Sequence, residues 1–174
     1  MNRATALAAG GVPEGTVVVA DFQRQGRGTH GRTWSAPAGT CLMFSVLLMP
    51  DVAPSELSNL PSRLGCAIRD TLNDRLDLNA SVKPPNDIMV GGNKLAGILC
   101  QSHIRAGKVE WVVCGIGLNT NLTSEQRSVP NSTSLTIETG DHYRHEELLD
   151  LLLASLEAFR RSDSGVGALA QAET

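Results

Sequence analysis

The chain reads as an α+β fold, a mixed and mostly antiparallel sheet with helices packed on one face of it. Three observations predict this. Short β-branched or apolar runs bounded by Gly and Pro recur along the chain, as strands do. Two of the turns between them, Gly91-Gly92-Asn93 and Arg105-Ala106-Gly107-Lys108, have hairpin chemistry, which makes neighbouring strands antiparallel. Two segments, one central and one late, carry helical rather than alternating apolar spacing. Hairpins interleaved with helices define the class.

Each element follows from its residues. Arg3 to Ala9 is a short Ala-rich helix stopped by Gly10-Gly11. Thr16 to Ala20 is a β-branched run and the first strand; Cys41 to Leu48 is the second, closed by Met49-Pro50. Ser55 is placed as the N-cap of an amphipathic helix with Leu57, Leu60, Leu64, Ile68 and Leu72 on one stripe. Pro61 inside it predicts a kink or a later start. Val82-Lys83 is a brief strand broken by Pro84-Pro85, because proline donates nothing to a ladder. Ile88 to Val90 and Leu95 to Cys100 form one hairpin, and a second turns at 105–108 into Val109 to Ile116. Residues 117–144 read as polar loop, and His145 to Arg161 as a helix with Leu148, Leu149, Leu152, Leu156 and Phe159 in a stripe. From Ser162 the sequence has no periodicity and reads as a flexible tail, leaving one domain over residues 1–161.

Composition narrows the function. The 41% hydrophobic content over 174 residues supports one sizeable core and excludes wholesale disorder. A net charge of −3 argues against non-specific nucleic-acid binding, which needs a basic face. Cys41, Cys66, Cys100 and Cys114 lack CxxC spacing, so neither a zinc site nor a redox pair is expected. No signal peptide or long apolar span is visible, which points to a cytoplasmic protein without a membrane partner.

The polar stretches carry the chemistry. Residues 23–34 hold Gly26, Gly28 and Gly31 with Arg27 and Arg32 among them, and glycine-exposed N–H groups beside guanidinium forks suit a carboxylate or phosphate. The alternative is a basic surface loop. The Gly-x-Gly-x-x-Gly spacing is not a dinucleotide fingerprint, because residues 33–39 read as loop and not as helix, and no Gly-Lys-Ser/Thr ending makes it a P-loop. Lys83-Pro84-Pro85-Asn86-Asp87 is either a turn or a device holding a cation and a carboxylate four residues apart on stiff prolines. Gly97 in mid-strand, and Gly115 with Gly117 in the next strand, suggest a surface kept flat for a ligand, or else a bulge.

Together, and in this order, Gly-Arg-Gly-x-x-Gly-Arg-x-Trp from Gly26, Lys-x-Pro-Asn-Asp from Lys83, Lys-Leu-Ala-Gly-Ile-Leu from Lys94 and Gly-Ile-Gly-Leu-Asn from Gly115 resemble the catalytic domain of biotin protein ligases, over Asn2 to about Phe159. The resemblance implies a biotin/lipoate ligase fold related to class II aminoacyl-tRNA synthetases. It also implies activation of biotin by Mg-ATP to biotinyl-5'-AMP and transfer to a lysine of a biotin carboxyl carrier protein. Cations are needed where two anions meet. The resemblance gives catalytic roles to Lys94, Arg27 and Asp87, with Lys94 at the reacting carboxylate and α-phosphate. It puts Asn2, Gln23, Gly26, Arg27, Lys94, Gly97 and Gly115 around biotin. Arg27, Gly28, Arg32, Trp34, Lys83, Asn86 and Asn119 fall on ATP and its phosphates, and Mg²⁺ comes with ATP, touching Asp87 and Asn119.

The chain departs from the family in four places. Met1-Asn2 stands where the family usually has Ser-Thr-Asn, so the domain reads as N-terminally short, and the usual C-terminal small β-barrel is expected to be absent. Pro84 replaces a tryptophan, and Thr29 replaces a residue commonly arginine, which implies a leakier hold on the adenylate. A non-catalytic biotin- or adenylate-binding remnant and a lipoate ligase are the alternative readings. A homodimer is common in the family; no DNA-binding element precedes the domain, so no DNA partner is expected.

Overall fold

The structure, a computed structural model, describes residues 1–127 and 129–162. Six strands, β1 (Val17–Ala20), β2 (Cys41–Leu48), β3 (Ala80–Lys83), β4 (Asp87–Val90), β5 (Asn93–Arg105) and β6 (Lys108–Asn119), form one sheet in the order β1-β2-β6-β5-β4-β3. Every paired neighbour in it is antiparallel. The one parallel contact between described residues is an isolated bridge from Lys94 to Ser132.

The helices are α1 (Asn2–Ala9), α2 (Leu60–Leu76), α3 (Leu135–Thr139) and α4 (His145–Ser162). α2 and α4 cover one face, where Leu42, Phe44 and Val46 of β2 and Cys114, Ile116 and Leu118 of β6 meet Leu64, Ile68, Leu72, Leu148, Leu152 and Leu156. The Ser155 hydroxyl of α4 donates to the Ala67 carbonyl of α2 at 3.0 Å, tying the two helices. The opposite face is covered in part by α1, which sets Ala4 and Ala8 on Leu47, Trp111 and Val113. Helices therefore lie on both faces, not on one. Trp34, Ala36 and Leu122 cover Cys41 and Met43 on the α1 face, so β2 is buried at all eight positions and its apolar residues do not alternate.

The sequence boundaries shift for physical reasons. Residues Pro54–Asn59 form a 3-10 turn, closed by the Glu56 carboxylate on the Ala53 N–H at 2.8 Å. α2 starts at Leu60, which puts Pro61 in the first turn, where a missing N–H costs nothing. β6 runs on to Asn119, and the polar stretch after it contains α3, capped by the Ser134 hydroxyl accepting from the Ile137 N–H. The tail expected past Ser162 lies outside the described residues. No helix among the described residues is long and apolar enough to cross a membrane.

Candidate active site

The uncovered part of the second face is a cleft of about 910 Å³. Its floor is the sheet at Gly97, Gly115 and Gly117, and one wall is the glycine-rich loop. The loop folds back on itself: Arg27 bridges Thr33, the Gly28 N–H donates to the Arg32 carbonyl at 2.7 Å, and the Trp34 N–H to the Gly26 carbonyl at 3.2 Å. A Cβ at Gly26 would fall 2.0 Å from the Trp34 carbonyl oxygen, so only glycine fits that crossing.

The loop delivers Trp34 to the floor. A Cβ at Gly117 would stand 2.8 Å from the indole ring, and one at Gly97 3.1 Å from the ring and 3.2 Å from Lys94 Nζ. The flatness foreseen at these strands thus admits the indole and the lysine. A Cβ at Gly115 would meet the Met1 side chain at 2.8 Å.

Lys94 Nζ lies 2.5 Å from Asp87 Oδ1 and 5.6 Å from the centre of a Trp34 ring. Asn86 aims that pair. Its carbonyl accepts from the Ile98 N–H at 2.9 Å and its Nδ2 donates to the Ile98 carbonyl at 3.0 Å, pinning the Pro-Pro segment to β5. Asp87 then begins β4 opposite Gly97. The Pro84–Pro85 peptide is cis.

Asn119 is a clamp between three segments. Its Nδ2 donates to the Thr133 carbonyl at 2.9 Å and to the Lys94 carbonyl at 3.4 Å, and its Oδ1 accepts from the Cys41 thiol at 3.2 Å. Burial pushes the Cys41 thiol up to about 11, so it stays a donor. Residues 131–133 are also laced to Lys94 through backbone, Lys94 N–H to the Asn131 carbonyl and Thr133 N–H to the Lys94 carbonyl, each 2.9 Å. This segment brings Val129 and Ser132 to the cleft as a second wall.

Of the residues singled out from sequence, the cleft gathers Asn2, Gln23, Arg27, Gly28, Arg32, Trp34, Asn86, Lys94, Gly97, Gly115 and Asn119. Asp87 reaches it through Lys94. Gly26 lies buried behind the loop crossing, and Lys83 is exposed at the end of β3 without lining the cleft. Sequence reading missed Ser45, the one serine of an otherwise apolar strand, and the wall at 129–132, which lies in the stretch read as polar loop. It also missed that Cys100 and Cys114, far apart in sequence, come together: they pair across β5 and β6 with sulfurs 3.3 Å apart, because spacing along the chain says nothing of register between strands.

The charged side chains lining the cleft are Arg3, Arg24, Arg27, Arg32 and Lys94; no carboxylate lines it among the described residues. A chain of net charge −3 thus concentrates cations in this cleft, which focuses anions there. Arg32 is held ready by Thr29, its Nη2 donating to Thr29 Oγ1 at 2.8 Å and its Nε to the Thr29 carbonyl at 3.2 Å.

A glycine-floored cleft with a carboxylate-held lysine and a clasped arginine loop is a cationic pocket suited to anionic ligands. Residues 5–119 match the sequence profile of the Biotin/lipoate A/B protein ligase family, and the chain belongs to that family. It is 34% identical over 119 residues to the bifunctional ligase/repressor BirA of Bacillus spizizenii, a match covering 68% of this chain and 37% of that protein. It is 34% identical over 132 residues to the biotin–[acetyl-CoA-carboxylase] ligase of Mycobacterium tuberculosis, covering 74% of this chain and 47% of that one. Among solved structures, the biotin protein ligase from Aquifex aeolicus in complex with biotin and ATP superposes with a TM-score of 0.72 and 30% identity, covering 91% of this chain and 66% of that chain. The chain therefore spans less than half the length of these two sequence relatives.

Proposed function

We propose that this chain activates biotin with ATP as biotinyl-5'-AMP and passes the biotinyl group to a lysine of a biotin carboxyl carrier domain. The observation that carries the reading is the Lys94–Asp87 pair on the cleft floor, facing a wall that supplies Arg27 and Arg32. The relatives named as biotin ligases, and the related structure holding biotin and ATP, support it.

In the first step a carboxylate oxygen of biotin bonds to the α-phosphorus of ATP and pyrophosphate leaves. Both reactants are anions, so the barrier falls where cations offset their repulsion and the charge growing on phosphate. Arg27 and Lys94 hold the carboxylate and α-phosphate, and Arg32, clasped by Thr29, holds the outgoing phosphates. Mg²⁺ would arrive as part of the ATP complex and offset charge on the phosphates. Asp87 is engaged by Lys94, the Asn119 amide is bonded at both ends, and the described residues hold no cluster of three His, Cys, Asp or Glu side chains. In the second step the carrier's lysine nitrogen bonds to the biotinyl carbonyl carbon and AMP leaves. Asp87 orients the incoming ammonium and takes its proton.

The test is transfer of labelled biotin to a carrier domain, with lipoate as competitor. Biotin-specific labelling is expected. Labelling that lipoate suppresses as well as unlabelled biotin does would overturn the assigned acid, and no labelling would overturn the transfer step.

A further inference from the structure

Cys100 on β5 and Cys114 on β6 stand directly opposite each other, both as free thiols, with their sulfurs in contact at 3.3 Å. The backbone tells which kind of pair they make. Ile98 turns its N–H and carbonyl away from β6, since both are bonded to Asn86. Backbone polarity alternates along a strand, so Cys100 also turns away from β6, and the cysteines form a non-hydrogen-bonded pair. That is the closer of the two antiparallel geometries, with Cα atoms about 4.5 Å apart, inside the range of about 4.4–6.8 Å that a disulfide spans.

The two thiols are not equivalent. Pairing of β4 with β5 ends at Gly97, leaving the edge of β5 open beyond the Asn86 tether, and Cys100 is partly exposed there. Cys114 is fully buried, and the Cys100 sulfur together with that burial holds its thiol well above the usual range. An external reagent therefore meets Cys100 first. The pair also lies directly behind the cleft: Leu99 and Gly115, each one residue away and paired with each other, point to the other face and line it.

We propose that Cys100 and Cys114 are a thiol-modification site, a dithiol that a small-molecule disulfide converts reversibly into a cross-strand disulfide beneath the cleft floor. The Cys100 thiolate attacks one sulfur of the reagent, breaking its S–S bond and releasing one thiol, which leaves a mixed disulfide on Cys100. Cys114 then gives up its proton and attacks Cys100 Sγ, expelling the second thiol. The protein loses two hydrogens and the reagent gains them. A thiol reductant reverses both exchanges by the same mixed-disulfide route. The cross-link stands on the sheet register alone; its effect on biotin rests on the function proposed above.

The full chain, incubated with excess glutathione disulfide, alkylated and peptide-mapped, tests it. The expected result is a Cys100–Cys114 peptide free of glutathione, an alkylated Cys41, any adduct on the half-buried Cys66 being independent of the pair, and recovery on reduction. Cys114→Ser should stop at a glutathione adduct on Cys100. Cys100→Ser should leave Cys114 and Cys41 as alkylated thiols, and it carries the test if the buried substitution fails to fold. Absence of the Cys100–Cys114 peptide, or a stable adduct on wild-type Cys100 beside an alkylated Cys114, overturns the proposal. Oxidation should also raise the biotin Kd about threefold or more. An unchanged Kd with the cross-link formed overturns the coupling to the cleft and leaves the chemistry standing. A protein that forms the cross-link but binds no biotin in either state instead contradicts the function.

Discussion

Lys94 Nζ and Asp87 Oδ1 meet at 2.5 Å across the β4–β5 hairpin, each side chain less than a third exposed. Neither end is free to wander. Asp87 follows the Asn86 tether to Ile98, and Lys94 lies over Gly97, where no Cβ blocks it. The pair fixes a cation at the floor of an otherwise arginine-lined cleft, and the proposed adenylation depends on that placement.

Removing the cation should therefore cost most. Lys94→Ala should lower the rate of biotinyl-AMP formation by about 10²–10³, the usual penalty for losing one donor aimed at developing charge. Asp87→Asn keeps the shape but not the charge. It should slow adenylation by about tenfold, through a less constrained lysine, and slow transfer further, because the incoming amine loses its proton acceptor. Single-turnover rates of the two steps check this, and equal losses in both steps would argue against Asp87 serving the second.

The floor glycines should rank by what they touch. Gly117→Ala puts a methyl against the Trp34 indole, whose ring is held by the loop, and should weaken ligand binding markedly. Gly115→Ala meets only the flexible end of Met1 at the same 2.8 Å and should be milder. Biotin titrations of the two variants decide the order; a larger effect at 115 would contradict it.

The hydroxyl and carbonyl of Thr29 clasp the Arg32 guanidinium. Thr29→Ala should raise the KM for ATP about two- to tenfold, the worth of an exposed hydrogen bond to a charged group, with little change in kcat. Thr29→Ser keeps the hydroxyl and should restore KM. If alanine and serine behave alike, Thr29 does not position Arg32.

His145, at the start of α4, is bonded to the Thr120 hydroxyl at 2.7 Å. That hydroxyl spends its hydrogen on the Thr40 carbonyl, so the imidazole Nε2 carries the proton and donates. Burial lowers the His145 pKa; nearby Glu146 and Asp21 oppose the shift, and His142 adds to it. The unfolded chain therefore binds a proton more readily there, and stability rises with pH. The His145 contribution is complete above about pH 6.5 and is lost as pH falls toward the lowered folded value. Melting temperatures of wild type should drop more between about pH 7.5 and about pH 5.5 than those of His145→Gln, which cannot take the proton. Parallel curves would show that His145 does not contribute to the slope.

Local chemistry announced most of the architecture. The hairpin turns at 91–93 and 105–108, the apolar run of β2 and the stripe of α4 each carry their own signal, and all appear where those signals lie. The motifs at Gly26, Lys83, Lys94 and Gly115 named the segments of the site. They could not say that Lys83 would lie exposed outside the cleft while Asp87 met the lining Lys94, because that depends on the turn between β3 and β4 and its tether to β5. Nor could they show that Asn119 would join β2, β5 and the 131–133 segment, or that Ser45 would reach the cleft. Those relations belong to strand register and to which face of the sheet is covered, and both are settled only when distant segments meet.

The most direct test of the central claim is single-turnover formation of biotinyl-AMP from biotin and ATP labelled at the α-phosphate, using this chain without any carrier. Wild type should accumulate the labelled adenylate, and Lys94→Ala, still folded by circular dichroism, should form it at least about a hundredfold more slowly. Adenylate formed at the same rate by both proteins would contradict the role given to the Lys94–Asp87 pair, and none formed by wild type would contradict the assigned reaction.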